Sequence, residues 1–123
     1  MTRSGLACLL SAAGLLLSGC HDQTGSSAAN TKAFASASPE VRAAWDIAIA
    51  ADKTNGYAAA YLTSLQLTTA PELTPEQRQA ASDLCGAVYK RMVAAAEKND
   101  PGAKQALDEV RDASRSVRVN RAR

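Results

Sequence analysis

Apolar residues fall into three regimes along this 123-residue chain. From Leu6 to Leu17 they run almost unbroken, with Ser11 the one polar side chain among them. From Asp22 to about Ser38 they thin to small residues and one aromatic, Phe34. From Pro39 onward they recur every three or four positions, the spacing of an amphipathic helix.

Within the third regime, polar punctuation divides the pattern into four predicted helices. Ser38-Pro39-Glu40 is a start signal: a capping side chain, a first-turn proline, and an acid at the positive end of the helix dipole. Val41, Ala44, Trp45, Ala48 and Ile49 follow on one side, and Thr54-Asn55-Gly56 reads as a stop, with Asn55 or Gly56 able to turn left-handed. A second helix is predicted from Tyr57 to about Leu67, with Tyr57, Ala58, Tyr61, Leu62 and Leu65 on one side and Thr68-Thr69-Ala70-Pro71 ending it. Thr74-Pro75-Glu76-Gln77 forms a capping box and opens a third helix to about Lys98. Its stripe is Ala81, Leu84, Cys85, Val88, Met92 and Ala95, with Tyr89 beside it. Asn99-Asp100-Pro101 closes that helix and starts a fourth, whose apolar side is Ala103, Ala106, Leu107 and Val110.

Composition supports helices over a sheet. Aromatics are only 4% of the chain, and much of the apolar content is alanine, which has high helix and low strand propensity. The expected fold is all-α: about four short helices as two hairpins over residues 38–113, after a flexible tether at 20–37 and before a basic tail at 114–123. The tether reading rests on a composition too polar to bury much area; in a second reading Phe34 packs back on the domain. A formal net charge of +2 gives no basis for a nucleic-acid partner.

The first apolar run carries a motif. Arg3 precedes it, it is shorter than the roughly 20 residues that span a bilayer, and it ends in Leu17-Ser18-Gly19-Cys20. This order of charge, apolar run and small residues before a cysteine resembles the lipobox signal peptide of bacterial lipoproteins. The resemblance implies that residues 1–19 are a signal peptide and that Cys20 takes a diacylglyceryl group on its thiol. Cleavage after Gly19 would then make Cys20 the first residue, usually acylated on its amine as well. Cys8 lacks that context and would be discarded. Two or three acyl chains give stable anchoring where one gives only marginal binding. In Gram-negative lipoproteins an aspartate directly after the cysteine favours the inner membrane. Here His21 holds that place, which points to the periplasmic face of the outer membrane, with Asp22 one position later.

A second resemblance lies in the helical part. Trp45 to Leu65, with Asn55-Gly56-Tyr57 and Ala60, looks like part of a tetratricopeptide-type repeat, and Lys98 to Ala103 looks like the turn within one. The 34-residue period of that family is not cleanly repeated. The resemblance implies packed helix pairs that bind another protein, and a plain four-helix cluster fits the same elements. Trp45, Tyr57 and Tyr61, with Tyr89, are the candidate contacts with an envelope protein partner.

Candidate chemistry is sparse. His21, the single histidine, lies beside the anchor, so neither histidine-based catalysis nor a histidine metal site is expected in the domain. Cys85 sits on an apolar stripe and reads as a small buried hydrophobe. Asp108 and Asp112 flank Arg111 and Arg115 at ion-pair spacing. The reading is therefore a protein that is not an enzyme and has no cofactor. The one charge asymmetry is Arg115, Arg118, Arg121 and Arg123 at the C-terminus, residue types suited to paired contacts with phosphate or carboxylate. They are the candidate contacts to lipopolysaccharide, anionic lipid or wall polymer. The run Ser116–Asn120 is expected to be neither helix nor strand.

Overall fold

The structure, a computed structural model, describes residues 30–122. These form a small all-helical domain of four main helices: α1 (Pro39–Lys53), α2 (Tyr57–Thr68), α3 (Pro75–Glu97) and α4 (Pro101–Arg121). One further helical turn spans residues 30–33.

Three of the four starts are made by local chemistry. Ser38 Oγ accepts a hydrogen bond from the Val41 amide at 3.4 Å, and Asp100 Oδ1 accepts one from the Ala103 amide at 2.8 Å. Thr74 and Gln77 cap each other, with the Gln77 amide donating to Thr74 Oγ1 and the Thr74 amide to Gln77 Oε1. Each bond satisfies an amide that the first helical turn leaves without a partner. Two ends also share one solution. Asn55 and Asn99 take positive φ (56° and 66°), and the next residue's amide reaches back five positions: Gly56 to Ala51 O and Asp100 to Ala95 O. This is the Schellman closure, here with asparagine in the left-handed position that glycine more often fills.

These tight turns reverse the chain. Side chains of α1, α2 and α3 meet around Val41, Trp45, Ala48, Ala60, Leu67, Ala81, Leu84 and Val88. Ala48, Ala60 and Ala81 are fully buried, so these helices approach one another across methyl groups. A smaller cluster of Met92, Ala106 and Val110 seats α4 antiparallel to α3. Tyr57 and Tyr61 pack against both clusters.

Three expectations need correction. The segment expected to be a flexible tether up to residue 37 is folded over 30–37. Phe34 is 1% exposed and stacks on Trp45, with ring centroids 4.2 Å apart and planes at 9°. The side-chain Nε2 of Gln77 donates to Ala33 O at 2.9 Å, which satisfies an otherwise costly buried polar group and pins the segment to the first turn of α3. Second, Trp45 is itself 1% exposed, so it holds the core and is closed to a partner. Third, Ser116–Asn120 is helical, because α4 continues to Arg121. The docked first half nucleates the helix, so each later residue needs only to propagate it. Arg118 and Arg121 also complement the negative end of its dipole.

Candidate functional site

On α2 the fully buried side chains and the half-exposed apolar ones lie on adjoining sides. Ala60, Ser64 and Leu67 are buried against the main core. Ser64, buried in mid-helix, donates to Ala60 O at 2.7 Å, so it leaves no polar group unpaired. The predicted stripe of Tyr57, Tyr61, Leu62 and Leu65 adjoins that side and lines a trough between α2 and α3, with Tyr57 and Tyr61 also touching the main core. The first half of α4 fills one end of this trough, packing Ala106, Leu107 and Val110 against Tyr57, Tyr61 and Leu62. Beyond Tyr61 the trough is open. It forms a groove of about 370 Å³, with Tyr61, Leu65 and Thr68 on one wall and Ser82, Cys85, Gly86 and Tyr89 on the other. Leu65 is 41% and Tyr89 44% exposed. Tyr61 and Tyr89 meet across it, with centroids 5.7 Å apart. Arg91 of α3 and Asp52 of α1 form an ion pair, and Arg78 ties α3 to the end of α2 through Thr68 O and Ala70 O.

Cys85 lies at the base of this groove, its Sγ 4.0 Å from Tyr61 O. Burial pushes the thiol above its ordinary pKa, against weaker opposing hydrogen bonds from Ser64 and Tyr61. The thiol form therefore dominates at neutral pH, and the thiolate is the nucleophile. Alkylation of the native protein at pH 7 should be many times slower than that of urea-unfolded chain; equal rates would show an exposed thiol. Linkage gives the sign for stability. A raised folded-state value means the contribution is fully present below the unfolded thiol value, about 8.5. It is lost as pH climbs through the higher folded value. Tyr61, raised by burial and then by the neighbouring Cys85 and Tyr89 charges, acts in the same direction at still higher pH. Unfolding midpoints should thus fall on the alkaline side.

Gly86 is exposed in the middle of α3, and a Cβ built there meets nothing within 4 Å. Glycine inside a helix costs about 1 kcal/mol relative to alanine. Gly86→Ala should therefore raise stability by about 0.5–1 kcal/mol in urea titration; a loss would reveal a steric demand on the groove floor.

The structure separates the other candidate residues. Tyr57 and Tyr61 are half-buried where α2 meets α4, and Trp45 is buried in the main core that they flank. Arg115, Arg118 and Arg121 lie on the exposed end of α4. Arg111 pairs with Asp108 at 3.0 Å and Arg115 with Asp112 at 3.6 Å, all of them exposed. Among the described residues no acid pairs with Arg118 or Arg121. Residues 1–19, Cys20, His21 and Arg123 lie outside the described residues. Among the described residues no His, Cys, Asp or Glu side chains gather as a metal site, and no helix is long and apolar enough to cross a membrane. Sequence reasoning missed the groove, whose two walls come from α2 and α3 and meet only in the packed fold. The sole signal was an apolar side of α2 with large residues as far as Leu65.

Compared with protein-family models, curated proteins and solved structures, the chain matches none of them.

Proposed function

We propose that this chain is a bacterial lipoprotein, held by lipid on Cys20 in the cell envelope, whose helical domain binds an envelope protein through the open half of the α2–α3 trough. The anchor rests on the Leu17-Ser18-Gly19-Cys20 motif behind its apolar run. The observation that carries the binding role is the pair Leu65 and Tyr89, large apolar side chains held half-exposed on the walls of a formed groove. Aromatic and apolar anchors in such clefts supply most of the affinity at protein interfaces. The occupant is an amphipathic helix, since α4 already fills the other end of the same trough in that manner.

Two measurements test this. Labelled palmitate should enter the wild type and not Cys20→Ser; label in the serine variant would falsify the anchor. Cross-linking in intact cells should recover a partner with wild type and lose it with Leu65→Ser/Tyr89→Ser. Tyr57 and Tyr61 are poor test positions because they join the two clusters. Unchanged recovery from a folded double variant would rule out the groove. A second reading, anion contact through the C-terminal arginines, is favoured by the helical continuation of α4 to Arg121, which fixes their relative positions.

A further inference from the structure

Past Val110, α4 leaves the helix cluster. Residues 114–122 are all exposed, including Val117 at 56% and Val119 at 57%. Successive helical residues are about 100° apart. On that wheel Arg111, Arg115, Arg118 and Arg121 share an arc of about 120°, with Val117 at one edge and Val119 at the other. Asp112, Ser116 and Asn120 occupy the opposite side. The arm is thus a basic face bordered by valines. Its two acid pairings, Arg111–Asp108 and Arg115–Asp112, are exposed and hold the guanidinium groups only weakly.

The position of this arm adds a second observation. Because α4 runs antiparallel to α3, its C-terminal end returns toward the end of the domain where α3 begins. That is also where Gln77 holds Ala33 and the chain enters the fold. The entry at residue 30 and the basic arm therefore lie at the same end. Cys20 is ten residues before Asn30, a distance of at most about 35 Å when fully extended. Glu72 and Glu76 share that end, with Lys32 and Arg78 to offset them.

We infer that the arm from Ala113 to Arg121 lies on an anionic phospholipid surface, the same surface that holds the lipid of Cys20. This rests on the lipoprotein reading and sharpens its alternative from anions in general to lipid headgroup phosphates. A lipid anchor and a basic helix are two membrane signals, and basic residues near an anionic leaflet each add attraction that falls off within a Debye length.

The test uses the full lipid-bearing chain in vesicles of phosphatidylcholine alone, or mixed with phosphatidylglycerol, with amide hydrogen exchange over 113–121 as the readout. Exchange should slow about tenfold or more on the anionic vesicles. It should recover in about 1 M salt, where the Debye length is about 3 Å. Arg115→Gln/Arg118→Gln/Arg121→Gln should show no difference between vesicles. Equal exchange in both vesicle types for a chain that carries lipid would overturn the arm alone. So would slowing that persists in the triple variant, or slowing by lipopolysaccharide but not by phosphatidylglycerol. A chain recovered without lipid would overturn the anchor itself.

Discussion

Phe34→Ala should cost about 3–5 kcal/mol, read as the loss of unfolding free energy in urea with an unchanged m-value. The ring is 1% exposed and stacked on Trp45 within the main cluster. Its removal deletes both transfer energy and contacts that the surrounding alanines are too short to replace. A domain of this size is stable by about 5–14 kcal/mol in all, so the variant would be marginal. A double-mutant cycle with Trp45→Phe should report a coupling of about 0.5–1.5 kcal/mol for the stacked pair. Trp45→Phe alone should be the milder change, because Trp45 Nε1 finds no acceptor among the described residues and no buried hydrogen bond is lost with it. A loss below about 1 kcal/mol for Phe34→Ala would return residues 30–37 to the tether.

Met92→Ala should cost about 2–5 kcal/mol, and its effect should be local. Met92 is fully buried but belongs to the smaller cluster with Ala106 and Val110, which joins the rest of the domain through Tyr57 and Tyr61. A cavity there loosens the seat of α4 while leaving the Phe34–Trp45 core in place. Hydrogen exchange should accelerate across residues 103–112 at denaturant levels where α1 and α3 remain protected, as for a separate cooperative unit. Equal acceleration in all four helices would show that the two clusters unfold as one.

The parts of this fold legible in the sequence are those set by short-range chemistry. Ser38, Thr74 and Asp100 announce their helices because each cap bond closes within three residues. Asn55 and Asn99 mark their ends for a similar reason. Phe34 was legible as a docked residue only in the second reading, since its neighbours are polar and its partners lie along the chain: Trp45, and the Gln77 contact that fixes Ala33. The continuation of α4 was misread because Val and Ser have lower helix propensity, a deficit of only tenths of a kcal/mol per residue that an already formed helix overrides. Ser64 escaped notice because a small side chain weighs little in a hydrophobic pattern, yet a close approach of the helices requires it. The groove depends on where α4 stops covering α2 and α3, and no local pattern encodes that. The arginines of the arm were visible, but their common face was not.

The bond from Gln77 to Ala33 spans 44 positions, as long a reach as the α2–α4 contacts, whereas each helical hairpin pairs helices that are neighbours in the chain. Folding speed follows the sequence distance between contacting residues. The helical hairpins can therefore assemble quickly, and residues 30–37 must close a much longer loop before they gain anything. That segment should dock after the helices, with transition-state φ-values near zero at Phe34 and higher values within the α2–α3 pair.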